Sequence, residues 1–423
     1  MNILVIGSGG REHAICHAFS KSKRVKRILC ADGNAGIAKV AELVPIRPDA
    51  IEDLAEFAST HDIDLTFVGG ETSLALGIVD EFERRGLRII GPSKAAARLE
   101  ASKAFAKDFM QRHGIPTAAY KTAYSTAEAI ELLDGGEFGD EERPVVVKAD
   151  GLAAGKGVVV AKDRAEAIEA VKSLRPAVGD AASRIVLEEC LMGHEVSLLM
   201  FCDGESFALM PPTRDHKRIG EGDTGPNTGG MGAITDGSLL GDEQTKQIVQ
   251  QIIEPTLRGC VEEGFPFTGV LFLGLMLTDD GAKVLEYNVR FGDPETQAIV
   301  VRLKTDLAKV CEAMLDGTLD DLKIRWRKGS SACVILAAAG YPQKARTGDV
   351  IDGLQNASER KKVTIFHAGT RLNENGEYIT AGGRVLGVTA RAKTLEKALK
   401  RAYKAVEDIS WEGMQYRRDI GRT

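Results

Sequence analysis

Glu286, Asn288 and Arg290 recur at every second position of the run Val284-Leu285-Glu286-Tyr287-Asn288-Val289-Arg290. Side chains alternate faces along a β-strand, so these three are expected to point one way while Leu285, Tyr287 and Val289 pack behind them. A carboxylate and an amide oxygen are hard ligands of the kind Mg²⁺ takes while sharing its shell with substrate phosphates. A guanidinium beside them complements the remaining negative charge. An ordinary amphipathic strand with a wet polar face uses the same alternation; the other motifs of the chain weigh against that plainer reading.

A glycine-rich stretch lies upstream, Lys148-Ala149-Asp150-Gly151-Leu152-Ala153-Ala154-Gly155-Lys156-Gly157-Val158. It is not a P-loop, because its first gap is one residue short of G-x-x-x-x-G-K-[ST], Gly157 replaces the hydroxyl residue, and a strand follows. A flexible loop between two strands can instead fold its N–H groups over a triphosphate, with Lys148 as a point charge at the end of the preceding strand. In Glu188-Glu189-Cys190-Leu191, followed by Glu195, a strand end offers backbone groups to an adenine edge and a carboxylate to ribose hydroxyls.

At the N-terminus Gly7-Ser8-Gly9-Gly10-Arg11-Glu12-His13 follows a strand and opens a helix, but Glu12 stands where a dinucleotide fingerprint has its third glycine. Asp32 would complete an NAD site by position. A phosphate monoester on the helix N-terminus is the preferred reading, since free N–H groups and the helix dipole favour anions there. His13 and His17 lie one helical turn apart; with no third metal ligand nearby, a structural or substrate-facing role is favoured.

The elements that must carry these groups follow from periodicity. Strands are expected at 3–6, 27–30, 65–68 and 87–90, alternating with helical patterns at 11–20, 51–59 and 74–85, which means βαβ units and a parallel sheet. A helix over 102–113, closed by Gly114 and Pro116, should start the next part. From about residue 144 the pattern changes to antiparallel hairpins: 144–148 with 157–161, 184–189 with 195–203, and 269–278 with 283–289. Residues 211–232 carry six glycines and three prolines without periodicity, and a loop this long is usually functional. Strands at 332–336, 363–368 and 384–389 and a helix over 394–408 complete a small α/β end part.

At 423 residues the chain suggests roughly three domains. A net charge of −6 argues against a general nucleic-acid binder. No apolar run reaches the roughly 18 residues of a membrane span, and no signal peptide is evident, so a cytoplasmic protein is expected. The seven scattered cysteines form no C-x-x-C pair and indicate neither disulfides nor zinc.

The segments 9–13, Gly91-Pro92, Lys103-Ala104-Phe105, 148–157, Asp215-His216-Lys217-Arg218, 223–232, Arg290-Phe291-Gly292-Asp293-Pro294-Glu295 and 366–370 run in order over nearly the whole chain. In this the sequence resembles the phosphoribosylamine–glycine ligases (glycinamide ribonucleotide synthetases), purine-biosynthesis enzymes of the ATP-grasp superfamily. The resemblance implies ligation of glycine to 5-phosphoribosylamine at the expense of ATP, through a glycyl phosphate, with Mg²⁺ or Mn²⁺ as cofactor. It implies an α/β protein of three parts. Residues 1–101 form a parallel-sheet domain holding the phosphoribosylamine phosphate, 102–325 an ATP-grasp domain with a lid at about 120–190, and 326–423 a C-terminal domain. No nucleic-acid or membrane partner is expected, and the chain would act as a monomer or weak homodimer.

Residue by residue, the resemblance puts Glu286 and Asn288 on the metal. Lys103, Lys148 and the loop Ala153, Ala154, Gly155, Lys156 and Gly157 would hold phosphates. Glu188, Glu189, Cys190, Leu191 and Glu195 would hold adenosine, helped by Arg218 and Asn227. Asp215 would meet the glycine ammonium and Arg290 its carboxylate, as the catalytic pair. Gly9, Gly10, Arg11 and Glu12 would take the phosphoribosylamine phosphate and Glu71 the ribose, with Lys217, Asp293 and Glu295 as further substrate residues. Another ATP-grasp carboxylate–amine ligase or carboxylase is the nearest alternative. The chain departs from the family pattern at Gly70, at Cys190, where an aromatic is common, and at Arg214, where an uncharged residue is usual.

Overall fold

The computed structural model describes residues 1–139, 143–153 and 157–422. Strands β1 (Asn2–Gly7), β2 (Arg27–Asp32), β3 (Glu42–Val44), β4 (Leu65–Val68) and β5 (Ile89–Ile90) form a parallel sheet in the order β3-β2-β1-β4-β5. Ile3, Leu4, Val5 and Ile6 are all fully buried, as a parallel strand covered on both faces requires. β3 escaped the sequence reading because three residues show no period. The helix expected over 74–85 is two helices, Glu71–Leu76 and Ile78–Arg84, broken at Gly77, whose φ of 94° is left-handed. The break leaves Glu71 at a helix start just beyond β4. Ser102 caps the helix Lys103–Arg112 by accepting from Phe105 N at 3.1 Å, and so sets Lys103 and Lys107 one turn apart on one face.

Strands β6 (Tyr120–Ala123), β7 (Val145–Ala149), β8 (Val158–Ala161) and β9 (Ile185–Glu189) make a separate antiparallel sheet in the order β6-β9-β7-β8. The helices Thr126–Asp134 and Arg164–Val178 pack their apolar residues against it. The expected β7–β8 hairpin forms, with Lys148 opposite Val158. The expected hairpin of 184–189 with 195–203 does not. β9 pairs with β6 and β7, whereas β10 (His194–Asp203) belongs to another sheet. Between them Gly193 has φ 153°, and a Cβ there would sit 2.1 Å from the Leu277 carbonyl oxygen; the chain changes sheets pressed against backbone.

The remaining strands are β11 (Phe207–Leu209), β12 (Thr213–Asp215), β13 (Arg218–Gly220), β14 (Thr224–Asn227), β15 (Gly232–Thr235), β16 (Thr268–Thr278), β17 (Gly281–Asn288), β18 (Ser330–Ala337), β19 (Val363–His367), β20 (Thr370–Leu372), β21 (Tyr378–Thr380) and β22 (Arg384–Ala392). Eight of them join β10 in a nine-stranded sheet in the order β17-β16-β10-β12-β15-β18-β22-β19, with β11 beside β10, while β13–β14 and β20–β21 are separate two-stranded pairs. The stretch 211–232, aperiodic in sequence, supplies β12, the small β13–β14 hairpin and the start of β15. Antiparallel pairing of β15 with β18 carries this sheet without a break into the C-terminal segment.

One register detail reshapes the metal-facing strand. Gly274 of β16 pairs with Glu286 but Leu275 pairs with Val284, so Leu285 is a bulge residue. Val284, not Leu285, therefore packs inward with Tyr287 and Val289, and Leu285 turns toward the cavity. This corrects the simple alternation. Glu286, Asn288 and Arg290 still share a face, with Arg290 just past the strand end.

Candidate active site

A cavity of about 440 Å³ lies where the helix Lys103–Arg112, the strands β7 and β8, the 215–229 stretch and β17 meet. Glu286 and Asn288 line it, with Lys217 Nζ 3.8 Å from Glu286 and 3.1 Å from Glu195. Burial alone would raise the Glu286 carboxyl, but Lys217, Lys148 and Lys103 hold it below its ordinary value, so it is ionised. Among the described residues no three His, Cys, Asp or Glu side chains form a metal cluster. One carboxylate and one amide fit a Mg²⁺ that completes its shell with phosphate oxygens and water.

A buried charge triad stands beside this face. Glu188 takes Lys148 Nζ on one oxygen and Lys107 Nζ on the other, both at 2.8 Å. Lys148 also donates to the carbonyl of the bulged Leu285 at 3.1 Å, and Lys107 to Thr117 Oγ1 at 2.8 Å. Burial lowers Lys107 to about 8 despite Glu188. Lys103 donates to the Gly151 carbonyl at 3.2 Å and is lowered by burial. Asp150, in the glycine-rich stretch, is a structural anchor, accepting from Ala104 N at 2.7 Å and pairing with Arg184 at 2.6 Å. Ala154, Gly155 and Lys156 lie outside the described residues; Ala153 and Gly157 line the cavity.

Away from the triad, Arg290 is clasped by two carboxylates, Glu100 at 2.7 Å and Glu71 at 3.1 Å. Glu100 also accepts from Val289 N at 2.8 Å. Burial opposes ionisation of Glu71, yet Arg290 and Arg11 draw it down to about 2. Glu71 thus links Arg290 to Arg11, whose NH1 lies 3.8 Å away. Glu12, expected to touch substrate, is turned inward instead. It is 1% exposed, accepting from Gly9 N at 2.7 Å and from Arg11 Nε at 2.6 Å. A Cβ on Gly69 would sit 2.1 Å from Glu12 Oε1, so the carboxylate fills the space a third glycine would leave over the turn. The residues Gly9 and Gly10 face Asp293 and Gln297. His13 accepts from His367 N at 2.8 Å, a structural link between the two ends of the chain.

Asp215, Asp293 and Glu295 form an acidic group next to Arg384 and Lys217. Burial and then Glu295 push the Asp215 carboxyl well above its ordinary value, and burial also raises Glu295. Asp293 goes the other way. Burial opposes its charge, but Arg384 and Arg11 hold it low. A cluster this acidic suits an ammonium. The groups expected around adenosine are scattered: Glu189 and Glu195 are exposed, Cys190 is half-buried, and Leu191 is buried at the crossing between sheets. Arg218 donates to Gly225 O within its own hairpin at 2.7 Å, and Asn227 lines the cavity. Glu100, Lys107 and Arg384 were not foreseen as site residues; of the three, only Lys107 carried a local signal, its spacing of four from Lys103.

Residues 1–100, 101–296 and 331–423 match the family models described as the N domain, the ATP-grasp (A) domain and the C domain of phosphoribosylglycinamide synthetase. The chain belongs to the phosphoribosylglycinamide synthetase family. Its similarity to this family extends over full lengths. It is 48% identical to the phosphoribosylamine–glycine ligase of Yersinia pestis, over 100% of this chain and 98% of that protein. The crystal structure of the phosphoribosylamine–glycine ligase from Thermotoga maritima superposes with a TM-score of 0.84 at 34% identity, covering 99% of this chain and 100% of that one. The biotin carboxylase domain of Hydrogenobacter thermophilus 2-oxoglutarate carboxylase reaches a TM-score of 0.71 at 17% identity, over 98% and 91% of the two chains, which shows shared fold only. No helix among the described residues of this synthetase-family chain is long and apolar enough to cross a membrane.

Proposed function

We propose that the chain joins glycine to 5-phosphoribosylamine, forming glycinamide ribonucleotide, ADP and phosphate; its relatives carry the name phosphoribosylamine–glycine ligase. The observation that carries this reading is one cavity with a metal-suited, lysine-lined face at one end and an acidic, arginine-rimmed pocket at the other. The glycine carboxylate attacks the γ-phosphorus of ATP and ADP leaves, giving glycyl phosphate. The amine of phosphoribosylamine then attacks the acyl carbon and phosphate departs with the bond electrons.

Phosphoryl transfer of this kind needs positioning and charge neutralisation rather than a protein nucleophile. Lys103, Lys148 and the 153–157 loop hold phosphates. Glu286 and Asn288 would hold Mg²⁺, which would supply positive charge to offset that of the phosphates. The 188–191 backbone with Glu195, Arg218 and Asn227 holds adenosine. Asp215 takes the glycine ammonium, and Lys217, Asp293 and Glu295 line its surroundings. Arg290 takes the glycine carboxylate once Glu71 turns to the ribose, and Arg11 with the Gly9–Gly10 turn takes the acceptor phosphate. Residues 1–101, 102–325 and 326–423 act as acceptor, nucleotide and closing parts.

Phosphate release with ATP and Mg²⁺ tests this, with glycine and freshly made phosphoribosylamine added separately and then together. Sustained release is expected only with both. Release that depends on bicarbonate instead of glycine would favour a carboxylase, and none under any combination would overturn the ligase reading.

A further inference from the structure

Resting on the ligase reading, we infer that Arg384, contributed by the C-terminal segment, is a positioning residue for the amino-acid pocket. It holds the glycine-rich turn over Asp215 in register with Asp293. Arg384 opens β22, and its NH1 donates to two main-chain carbonyls, those of Gly229 and Asp293, while NH2 lies 3.3 Å from the Asp293 carboxylate. One guanidinium thus ties the 211–232 stretch to the turn after β17. The opposite side of the same glycine is held as well, since Gly229 N donates to the Tyr341 hydroxyl at 3.0 Å. Both C-terminal groups reach in because glycines make room: a Cβ on Gly229 would sit 3.0 Å from Arg384 Cζ, and one on Gly383 would sit 2.3 Å from the Tyr341 ring.

The next residue transmits this grip to the pocket. Gly230 has φ 107°, and a Cβ there would lie 2.7 Å from Asp215 Oδ1, so the turn rests directly on the carboxylate assigned to the ammonium. Moving Gly229 moves the lid of that carboxylate. Arg384 is also 21% exposed on its side chain and lines the cavity, where with Lys217 it offsets Asp215, Asp293 and Glu295. A lysine could still pair with Asp293, but an ammonium lacks the planar fork that addresses two carbonyls and a carboxylate together. The amino-acid pocket is therefore finished by residues from beyond the nucleotide-binding part.

Steady-state kinetics of the full chain decide it, with wild type, Arg384→Ala, Arg384→Lys and Tyr341→Phe assayed for ADP formation while glycine and ATP are titrated in turn. For Arg384→Ala the glycine KM should rise at least about ten-fold, with the ATP KM held within about two-fold. Arg384→Lys should fall between it and wild type. Tyr341→Phe should shift the glycine KM by roughly three-fold in the same direction, and guanidinium ion at sub-denaturing concentration should restore part of the Arg384→Ala loss. Glycine and ATP KM values rising together with a lowered melting temperature would make Arg384 only a tie between segments and overturn the assignment. So would a wild-type glycine KM in Arg384→Ala. Should Arg384→Ala fail to fold, unchanged glycine KM values in both Arg384→Lys and Tyr341→Phe overturn it equally. A wild type that forms no ADP with glycine and phosphoribosylamine would instead sink the ligase reading itself.

Discussion

Replacing Asp215 by asparagine removes a charge from a carboxyl group that burial and Glu295 already push well above its ordinary value. A carboxyl with a raised folded value destabilises the fold once ionised, so its neutral replacement should raise the melting temperature at pH 8. The Asp215 Oδ1 that accepts from His216 N at 2.6 Å has a counterpart in the amide oxygen, so local geometry is kept. Binding suffers the reverse. An ammonium that met a carboxylate now meets a neutral amide, a loss of about 1.5–3 kcal/mol, or roughly ten- to hundred-fold in kcat/KM for glycine. The pH profile adds a second signature, because wild-type kcat/KM for glycine should decline as pH falls through the raised value, and this acid limb should vanish in the variant. Coupled ADP assays at saturating ATP and phosphoribosylamine, with a thermal melt on the same sample, measure all three. An unchanged glycine KM with a raised ATP KM would move Asp215 to the nucleotide side. A lowered melting temperature would refute the strained-carboxylate argument.

Glu286→Ala should abolish turnover without altering the urea midpoint, since Val284, Tyr287 and Val289 do the packing, while Asn288→Ala should be milder; wild-type kcat in Glu286→Ala at ordinary Mg²⁺ would remove the metal assignment. Lys148→Ala should lower kcat/KM for ATP by on the order of 10²–10⁴, and the exposed Lys162 should be near neutral; equal losses in an ATP titration would contradict the loop geometry. Mild acid should destabilise the fold, because burial lowers His13 to about 3 and His216 and His367 to about 4, against an ordinary value of 6.5. Their contribution is complete above about pH 7 and is lost as pH falls from 6.5 toward 4, at about 1.4 kcal/mol per pH unit for each neutral histidine. Urea midpoints at pH 7.5 and 5.5 should therefore differ more for wild type than for His13→Gln, and equal differences would refute this.

Alternation over 284–290 correctly brought Glu286, Asn288 and Arg290 to one face, because a strand's period is local. The bulge at Leu285 was not visible, since it is set by register against β16. The same limit explains the misassigned hairpin. Residues 184–189 and 195–203 look like partners until Gly193 is seen pressed on Leu277, a contact between distant segments. Glu12 could be read as an obstacle to a dinucleotide, but not as a carboxylate folded back on Gly9. Glu100 and Arg384 act through partners 190 and 91 residues away, and nothing in their own neighbourhoods marks them.

The pairing of β15 with β18 spans four residue pairs, Gly232–Val334 to Thr235–Ser331, in the interior of the large sheet. Cutting the chain ahead of β18 would uncover the backbone donors and acceptors of β15 that face β18, leaving only its pairing with β12, and bare Ala233 and Ile234, both buried in the whole protein. Such a fragment would present a ready template for strand addition by its neighbours and would tend to aggregate. Exchange of the last hundred residues between homologues is thus a grafting problem, in which the donor strand must match a four-residue register before any side chain of the pocket can matter.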